Sequence, residues 1–174
     1  MNDLSDFSKF LTDEELAKVA PMLERLSTLD KRSEKHDNFM SFVKHVWPQF
    51  IEGRHHKIYA QKLQDVADGK LKRLIINMPP RHTKSEFASY LFPTWLMGRR
   101  PDLKIIQATH TAELAVGFGR KIKNLIESED FKDVFPDVSL ATDAKASGRW
   151  STNGGGEYYA VGVGGALAGR GADL

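Results

Sequence analysis

Residues 71–128 alternate between short apolar runs and longer amphipathic stretches, and this alternation limits the possible folds more than any other feature of the sequence. The runs "LKRLIINM" (71–78) and "LKIIQAT" (103–109) contain several β-branched residues and predict buried strands. A helical pattern follows each run, over residues 85–97 and 112–128. Strand, helix, strand and helix in this order predict an α/β domain with a parallel sheet and crossover helices.

The residues before this unit predict helices. Thr12 and Glu15 have the spacing of a capping box, so a helix is expected to begin there, with a bend or restart at Pro21. The polar stretch 29–38 is interpreted as a connector.

Two further helices are expected before the first apolar run. Residues 39–51 carry one apolar helical face, and Pro48 predicts a kink or an early end. Residues 55–68 predict another helix that ends at Gly69.

The last part of the chain is rich in glycine, with eight of the fourteen glycines between Gly154 and Gly171. Residues 157–163 alternate loosely and predict a strand. The glycines indicate either tight turns or a flexible tail.

The composition excludes some classes of site. The chain of 174 residues has no cysteine, so disulfides and thiolate metal sites are impossible. No apolar run approaches the roughly 18 residues of a membrane-spanning helix. The net charge of +2 does not by itself indicate a nucleic-acid-binding surface.

The stretch "INMPPRHTKSEF" (76–87) lies between the first predicted strand and its helix. On the phosphate-loop template G-x-x-x-x-G-K-[ST], Lys84 and Ser85 match, whereas Met78 and Thr83 replace the two glycines. In such a loop the backbone N–H groups and the helix N-terminus hold phosphate, the lysine reaches the β- and γ-phosphates, and the hydroxyl binds Mg²⁺.

From spacing alone, a nucleotide loop and an ordinary strand-to-helix turn are equally good interpretations. Pro79 and Pro80 stiffen the exit from the strand, which lowers the need for the first glycine. Thr83 is less easily accommodated because a β-branched residue disfavours positive φ. Either the loop is right-handed at Thr83 or it carries strain there.

A family resemblance favours the nucleotide interpretation. The stretch from "LKRLIINMPPRHTKSEF" to "LKIIQATHTAELA", with "HHKIYAQKLQDVADGK" before it and "GVGGALAGRGADL" after it, resembles the ATPase domain of the large terminase subunits of tailed bacteriophages. The resemblance covers roughly residues 38–174, and "PPRHTKSE" is its most specific piece. It implies a P-loop NTPase fold of the additional-strand type, with residues 1–36 as a charged helical segment and 37–174 as a partial ATPase domain. The acidic Walker B strand and a nuclease domain are expected to lie beyond residue 174, so we expect weak or no ATP hydrolysis by this chain alone.

The resemblance also implies roles for individual residues. Lys84 would bind the β- and γ-phosphates, Ser85 would bind Mg²⁺, and Arg81 would contact the γ-phosphate. Arg170 would act as an arginine finger on the nucleotide of a neighbouring subunit. The residues implied in binding ATP are Pro79, Pro80, Arg81, His82, Thr83, Lys84 and Ser85, with His56 and Gln61 near the adenine.

The implied function is that of the ATP-binding part of a viral DNA-packaging motor, which couples ATP hydrolysis to the translocation of double-stranded DNA into a procapsid. The implied partners are the DNA backbone, further copies of the chain in a ring on a portal protein, and a small terminase subunit, with no membrane. The expected location is the cytoplasm of the bacterial host. Two alternatives stay open: a helicase-like P-loop ATPase, and a binding or assembly module without catalysis.

Overall fold

The computed structural model describes residues 12–142 and 146–174. The helices are α1 (Asp13–Asp37), α2 (Phe39–Val46), α3 (Arg54–Ala67), a π-helix (Glu86–Leu91) that continues into α4 (Phe92–Arg99), α5 (Ala112–Ile126) and α6 (Glu129–Val134). The strands are β1 (Lys104–Thr109), β2 (Arg149–Ser151) and β3 (Glu157–Gly162). The protein is therefore a mixed α/β structure, as the alternation of patterns predicted.

The sheet has the order β1-β3-β2. Strand β1 pairs in parallel with β3, in a register that aligns Lys104 with Glu157, whereas β2 and β3 are antiparallel. On the other side of β1, the Ile106 N–H donates to the Leu174 carbonyl and the Asp173 N–H donates to the Lys104 carbonyl. The sheet is mixed rather than purely parallel, because the hairpin partner β2 lies between α6 and β3 in the sequence.

The predicted strand at 71–78 is not formed. These residues belong to no strand, and Ile75 is 88% exposed. A cleft of about 310 Å³ lies between this segment and β1, lined by Leu74 and Ile76 on one side and Ile105 on the other. The prediction was wrong because an apolar β-branched run becomes a strand only when a neighbouring strand accepts its backbone hydrogen bonds.

Helix α1 is longer than predicted. Its capping box at Thr12 and Glu15 is confirmed, but the helix is continuous through Pro21 and extends to Asp37. The polar connector predicted at 29–38 is therefore wrong. Tertiary contacts reach this part of the helix, because the Trp95 Nε1–H donates to the carbonyls of Lys35 and His36.

The other predicted helices are confirmed, with small shifts at their ends. Helix α2 ends before Pro48, and Gly69 after α3 has a φ of 72°. Strand β3 confirms the strand predicted at 157–163, and tight turns are present at Gly155, Gly164 and Gly169, where φ is positive. No helix within residues 12–142 and 146–174 is long and apolar enough to span a membrane.

The core lies where the helices meet one face of the sheet. Phe39 is fully buried and packs edge-on against Phe87 and Phe92, with Trp95 beside them. Phe87 belongs to the π-helix, so this core holds the helix that follows the candidate loop. The wider turn Glu86–Leu91 precedes Pro93, which cannot donate a backbone hydrogen bond to the turn before it.

Candidate functional site

The stretch 79–83 forms a tight loop that leads directly into a helix at Lys84. The Phe87 N–H donates to the Thr83 carbonyl at 3.0 Å, which closes the first helical turn. The phosphate-loop motif requires a strand, a loop and a helix in this order, and the structure has the loop and the helix but no strand at 71–78.

Two residues of the loop have left-handed backbone conformations. Arg81 has a φ of 64° and Thr83 a φ of 60°, while His82 between them is not in the positive region. For residues with a Cβ, this conformation costs about 1–2 kcal/mol each. Thr83 occupies the second glycine position of the template. Of the two expectations for this residue, a right-handed backbone or a strained one, the structure has the strained one.

A chain of hydrogen bonds holds Thr83 in this conformation. The Gly53 N–H donates to His56 Nδ1 at 2.9 Å, and His56 Nε2 lies 2.9 Å from Thr83 Oγ1. The Thr83 hydroxyl donates to the His82 carbonyl at 2.6 Å. Because a backbone N–H can only donate, Nδ1 is the acceptor and Nε2 carries the proton that is donated to Thr83.

A second anchor fixes the start of the helix. The Tyr59 hydroxyl donates to the Lys84 carbonyl at 2.9 Å, and its ring stacks on Phe87 at 5.4 Å between centroids. The His56 ring stacks on the same Phe87 at 5.5 Å. Helix α3 therefore supports the loop through two side chains one turn apart, and burial raises the pKa of the Tyr59 hydroxyl, which stays protonated as a donor.

His56 is only 6% exposed, and its surroundings oppose a positive charge. Burial lowers the pKa of His56, and the adjacent His55 and the nearby His82 lower it further, whereas Glu52 raises it. The Glu52 carboxylate is already paired with Lys44 and with Lys57. The neutral imidazole is thus the form that the hydrogen-bond chain uses and the form that burial favours.

The remaining loop side chains face solvent. Pro79, Pro80, Arg81, His82, Lys84 and Ser85 are all exposed. His82 Nδ1 donates to the Pro80 carbonyl at 2.9 Å, which tightens the turn. Ser85 already has helical backbone angles, with φ −73° and ψ −32°, and its side chain makes no capping hydrogen bond. The exposed cations of Arg81 and Lys84 and the exposed Ser85 hydroxyl can therefore meet an anionic ligand at the start of the helix.

An apolar cleft of about 250 Å³ borders the loop. Ile58 of α3 and Ile75 of the segment 71–78 are exposed on its walls, and His55 and Met78 lie at the end next to the loop. Sequence reasoning missed Ile58, Tyr59 and Ile75 as site residues. The available signal was that Ile58 and Tyr59 fall in the predicted helix 55–68 just upstream of the motif.

Two of the predicted site residues lie elsewhere. Gln61 is exposed on α3, and its amide donates to Asp65 at 3.2 Å. The Arg170 guanidinium lies 4.1 Å from the centre of the Tyr159 ring, in a pocket shared with Lys104 and Arg149. Neither residue contacts the loop in the part of the chain that the structure describes, and the predicted action of Arg170 on a neighbouring subunit remains a prediction.

The described residues contain no group of three or more histidine, aspartate or glutamate side chains arranged to hold a metal ion. Ser85, at the start of the helix, is the predicted Mg²⁺ ligand. A hydroxyl beside bound phosphates suits Mg²⁺, which takes few protein ligands in such sites and uses phosphate oxygens and water for the rest.

Comparisons with protein-family models, with curated protein sequences and with solved structures found no match to this chain.

Proposed function

We propose that the chain binds the triphosphate of ATP with Mg²⁺ through residues 79–85, as the ATP-binding part of a DNA-packaging ATPase with a P-loop NTPase fold. The observation that carries the proposal is the backbone of the loop. Positive φ at Arg81 and Thr83, on either side of His82, turns the chain sharply just before the helix that begins at Lys84. Alternating backbone conformations of this kind direct successive N–H groups into one concavity, which suits a phosphate oxygen.

The side chains support the same assignment. Lys84 and Ser85 are exposed at the start of the helix, where an ammonium and a hydroxyl reach phosphate and Mg²⁺. Arg81 projects from the loop itself and supplies a second cation for the terminal phosphate. The apolar cleft between Ile58 and Ile75 gives the base a surface to pack on.

The strain in the loop also supports a functional role. Left-handed residues with a Cβ persist only where the surrounding structure holds them, and such positions cluster at ligand-binding sites. Here His56 and Tyr59 supply that support from α3. An ordinary strand-to-helix turn has no need for two strained residues and two buried anchors.

The packaging assignment follows from "PPRHTKSE", whose form resembles the terminase loop more than a glycine-rich one. In that role the motor would grip duplex DNA through its phosphates, because it must handle any sequence. Arg170 would complete the site of a neighbouring copy in the ring. A helicase-like ATPase is the competing assignment.

Titration with a fluorescent ATP analogue and Mg²⁺ tests the proposal. We expect Lys84→Ala to weaken binding by at least about tenfold, because it removes a charge-assisted phosphate contact of about 1.5–3 kcal/mol. Lys132→Ala is the matched control, since Lys132 lies on α6 and pairs with Glu129. Equal affinity of the two variants would contradict the proposal.

The fold must be intact for a negative result to count. Absence of analogue binding by the unaltered chain, with normal circular dichroism, would favour the assembly module without catalysis. Competition between duplex and single-stranded oligonucleotides, in the presence of the analogue, separates a packaging motor from a helicase. A preference for single strands would favour the helicase-like assignment.

A further inference from the structure

We infer that His56 is the positioning residue that sets the conformation of the loop, and that it does so only as the neutral imidazole protonated at Nε2. The inference rests on the proposed function for the use of the loop, but its structural part can be tested without a ligand. His56 is not free to contact a base, because both of its ring nitrogens are engaged and the side chain is buried.

The hydrogen bonds around His56 have one consistent direction. The Gly53 N–H donates to Nδ1, Nε2–H donates to Thr83 Oγ1, and the Thr83 hydroxyl donates to the His82 carbonyl. Because Nδ1 accepts from Gly53, the proton of the neutral ring must be on Nε2, where it is donated to the Thr83 hydroxyl. The Thr83 hydroxyl then donates its own proton to the His82 carbonyl. The chain joins the beginning of α3 to the residue with a φ of 60° in the loop.

Protonation of His56 breaks this chain at its first link. An imidazolium carries a proton on both nitrogens, so Nδ1–H would point at the Gly53 N–H across 2.9 Å. The ring must then rotate or withdraw, and Thr83 loses the donor that holds its hydroxyl. A left-handed threonine relaxes when its support is lost, so the loop would leave the conformation that presents its amides to phosphate.

The groups that face His56 come from three elements. His55 precedes it on α3 with ring centroids 3.8 Å apart, His82 approaches from the loop, and Glu52 lies just before the helix. The Phe50 and Phe87 rings cover the remaining sides at 4.8 and 5.5 Å. The two imidazoles and the two apolar rings disfavour a positive charge on His56 more than the Glu52 carboxylate favours it, because Lys44 and Lys57 already neutralise that carboxylate.

The pKa of His56 sets the pH range in which the loop is held. The pKa of His56 is lowered below its ordinary value of 6.5. The loop is therefore held at neutral and alkaline pH and is released only in acid, below that lowered pKa. The same shift makes the free energy of unfolding depend on pH. The contribution of neutral His56 is complete above pH 6.5, decreases as the pH falls towards the lowered pKa, and changes no further below that pKa.

Nitrogen-15 NMR of the histidine rings tests the structural part on the unliganded protein. We expect His56 in the Nε2–H tautomer at about pH 8. As the pH is lowered, the amide signals of residues 81–85 should shift with the midpoint of the His56 ring. A His56 proton on Nδ1, or loop amides that do not follow the ring, would overturn the inference.

The pH profile of binding of the fluorescent ATP analogue with Mg²⁺ tests the functional part. If only the neutral form binds, affinity should fall by about tenfold per pH unit below the pKa of His56. The His56→Gln side chain offers an acceptor and a donor but does not titrate. This variant should therefore keep part of the affinity and lose the fall in affinity below the pKa of His56. His110→Gln, an exposed histidine after β1, should keep the profile of the unaltered chain.

The outcomes separate the two proposals. A His56→Gln variant with an unchanged pH step would overturn the role of His56 while leaving phosphate binding in place. No analogue binding at any pH, together with the expected tautomer and coupled loop shifts, would reject the proposed function and leave the structural role of His56 standing. Since the NMR measurement uses the unaltered chain, a variant that fails to fold does not prevent the decision.

Discussion

The two units in which an apolar run leads through a turn into a helix have similar sequences and different structures. In the second unit, residues 103–126, the run forms β1 and Thr111 caps α5 by accepting from the Leu114 N–H. In the first unit, residues 71–99, the run forms no strand, the turn contains two left-handed residues, and the Ser85 side chain makes no capping hydrogen bond.

The difference separates a unit that only builds the fold from the unit that we propose binds phosphate. In the second unit, β1 has its backbone groups paired with β3, and Thr111 caps α5 at an ordinary φ of −118°. The first unit leaves the cations of Arg81 and Lys84 exposed, and His56 and Tyr59 of α3 hold its turn. A binding site needs such unsatisfied groups, and local strain at the site is balanced by contacts elsewhere.

The largest expected difference between the units concerns their apolar runs. Ile105 in β1 is 3% exposed, whereas Ile75 is 88% exposed. Ile105→Ala should lower the free energy of unfolding by about 2–5 kcal/mol, because it removes buried methyl groups and leaves a cavity. Ile75→Ala should change it by less than about 0.5 kcal/mol. Urea unfolding of both variants measures the contrast, and equal losses would mean that both runs are buried.

The crossover helix of the second unit supplies the next contrast. A Cβ on Gly119 would lie 2.7 Å from the Tyr158 ring and would also meet the Ser147 carbonyl, whereas a Cβ on Gly117 meets nothing within 4 Å. Gly119→Ala should cost about 1–3 kcal/mol through overpacking. Gly117→Ala should stabilise the helix by up to about 1 kcal/mol. Thermal unfolding of the two variants measures the expected loss of stability at Gly119 and the expected gain at Gly117. If Gly119→Ala left the stability unchanged, α5 would not lie against β3.

The two helix starts differ in capping. Thr111→Ala should cost about 1 kcal/mol, because the Leu114 N–H loses its acceptor. Ser85→Ala should change stability by less than about 0.5 kcal/mol, since the Ser85 side chain caps nothing. Chemical denaturation compares them. A larger loss at Ser85 would reveal a cap in the first unit and remove the contrast.

The smallest effect concerns the turns. Arg81→Gly should raise the free energy of unfolding by about 0.5–1 kcal/mol, because glycine adopts a φ of 64° without strain. His110→Gly, at the corresponding turn after β1, should lower it by a similar amount, since His110 has no positive φ to relieve. Calorimetry of both variants would decide whether the strain is confined to the first turn; destabilisation by Arg81→Gly would place Arg81 outside the left-handed region.

Local features explain which predictions from the sequence were confirmed. The capping box at Thr12, the end of α3 at Gly69 and the amphipathic pattern of α5 depend on residues within a few positions of one another. The predicted connector at 29–38 failed because contacts from Trp95, about 60 residues away in the sequence, support a polar helical segment there.

By itself the sequence determined the alternation of helices and apolar runs, the position of the loop between them, and the Lys84-Ser85 pair at the end of the loop. Only the tertiary structure decided which apolar run became a strand, because that depends on a pairing partner elsewhere in the chain. It also decided the left-handed conformation of Thr83, because the group that stabilises it, His56, is 27 residues away. A conformation that its own residue disfavours cannot be read from local preference, since the energy that maintains it comes from long-range contacts.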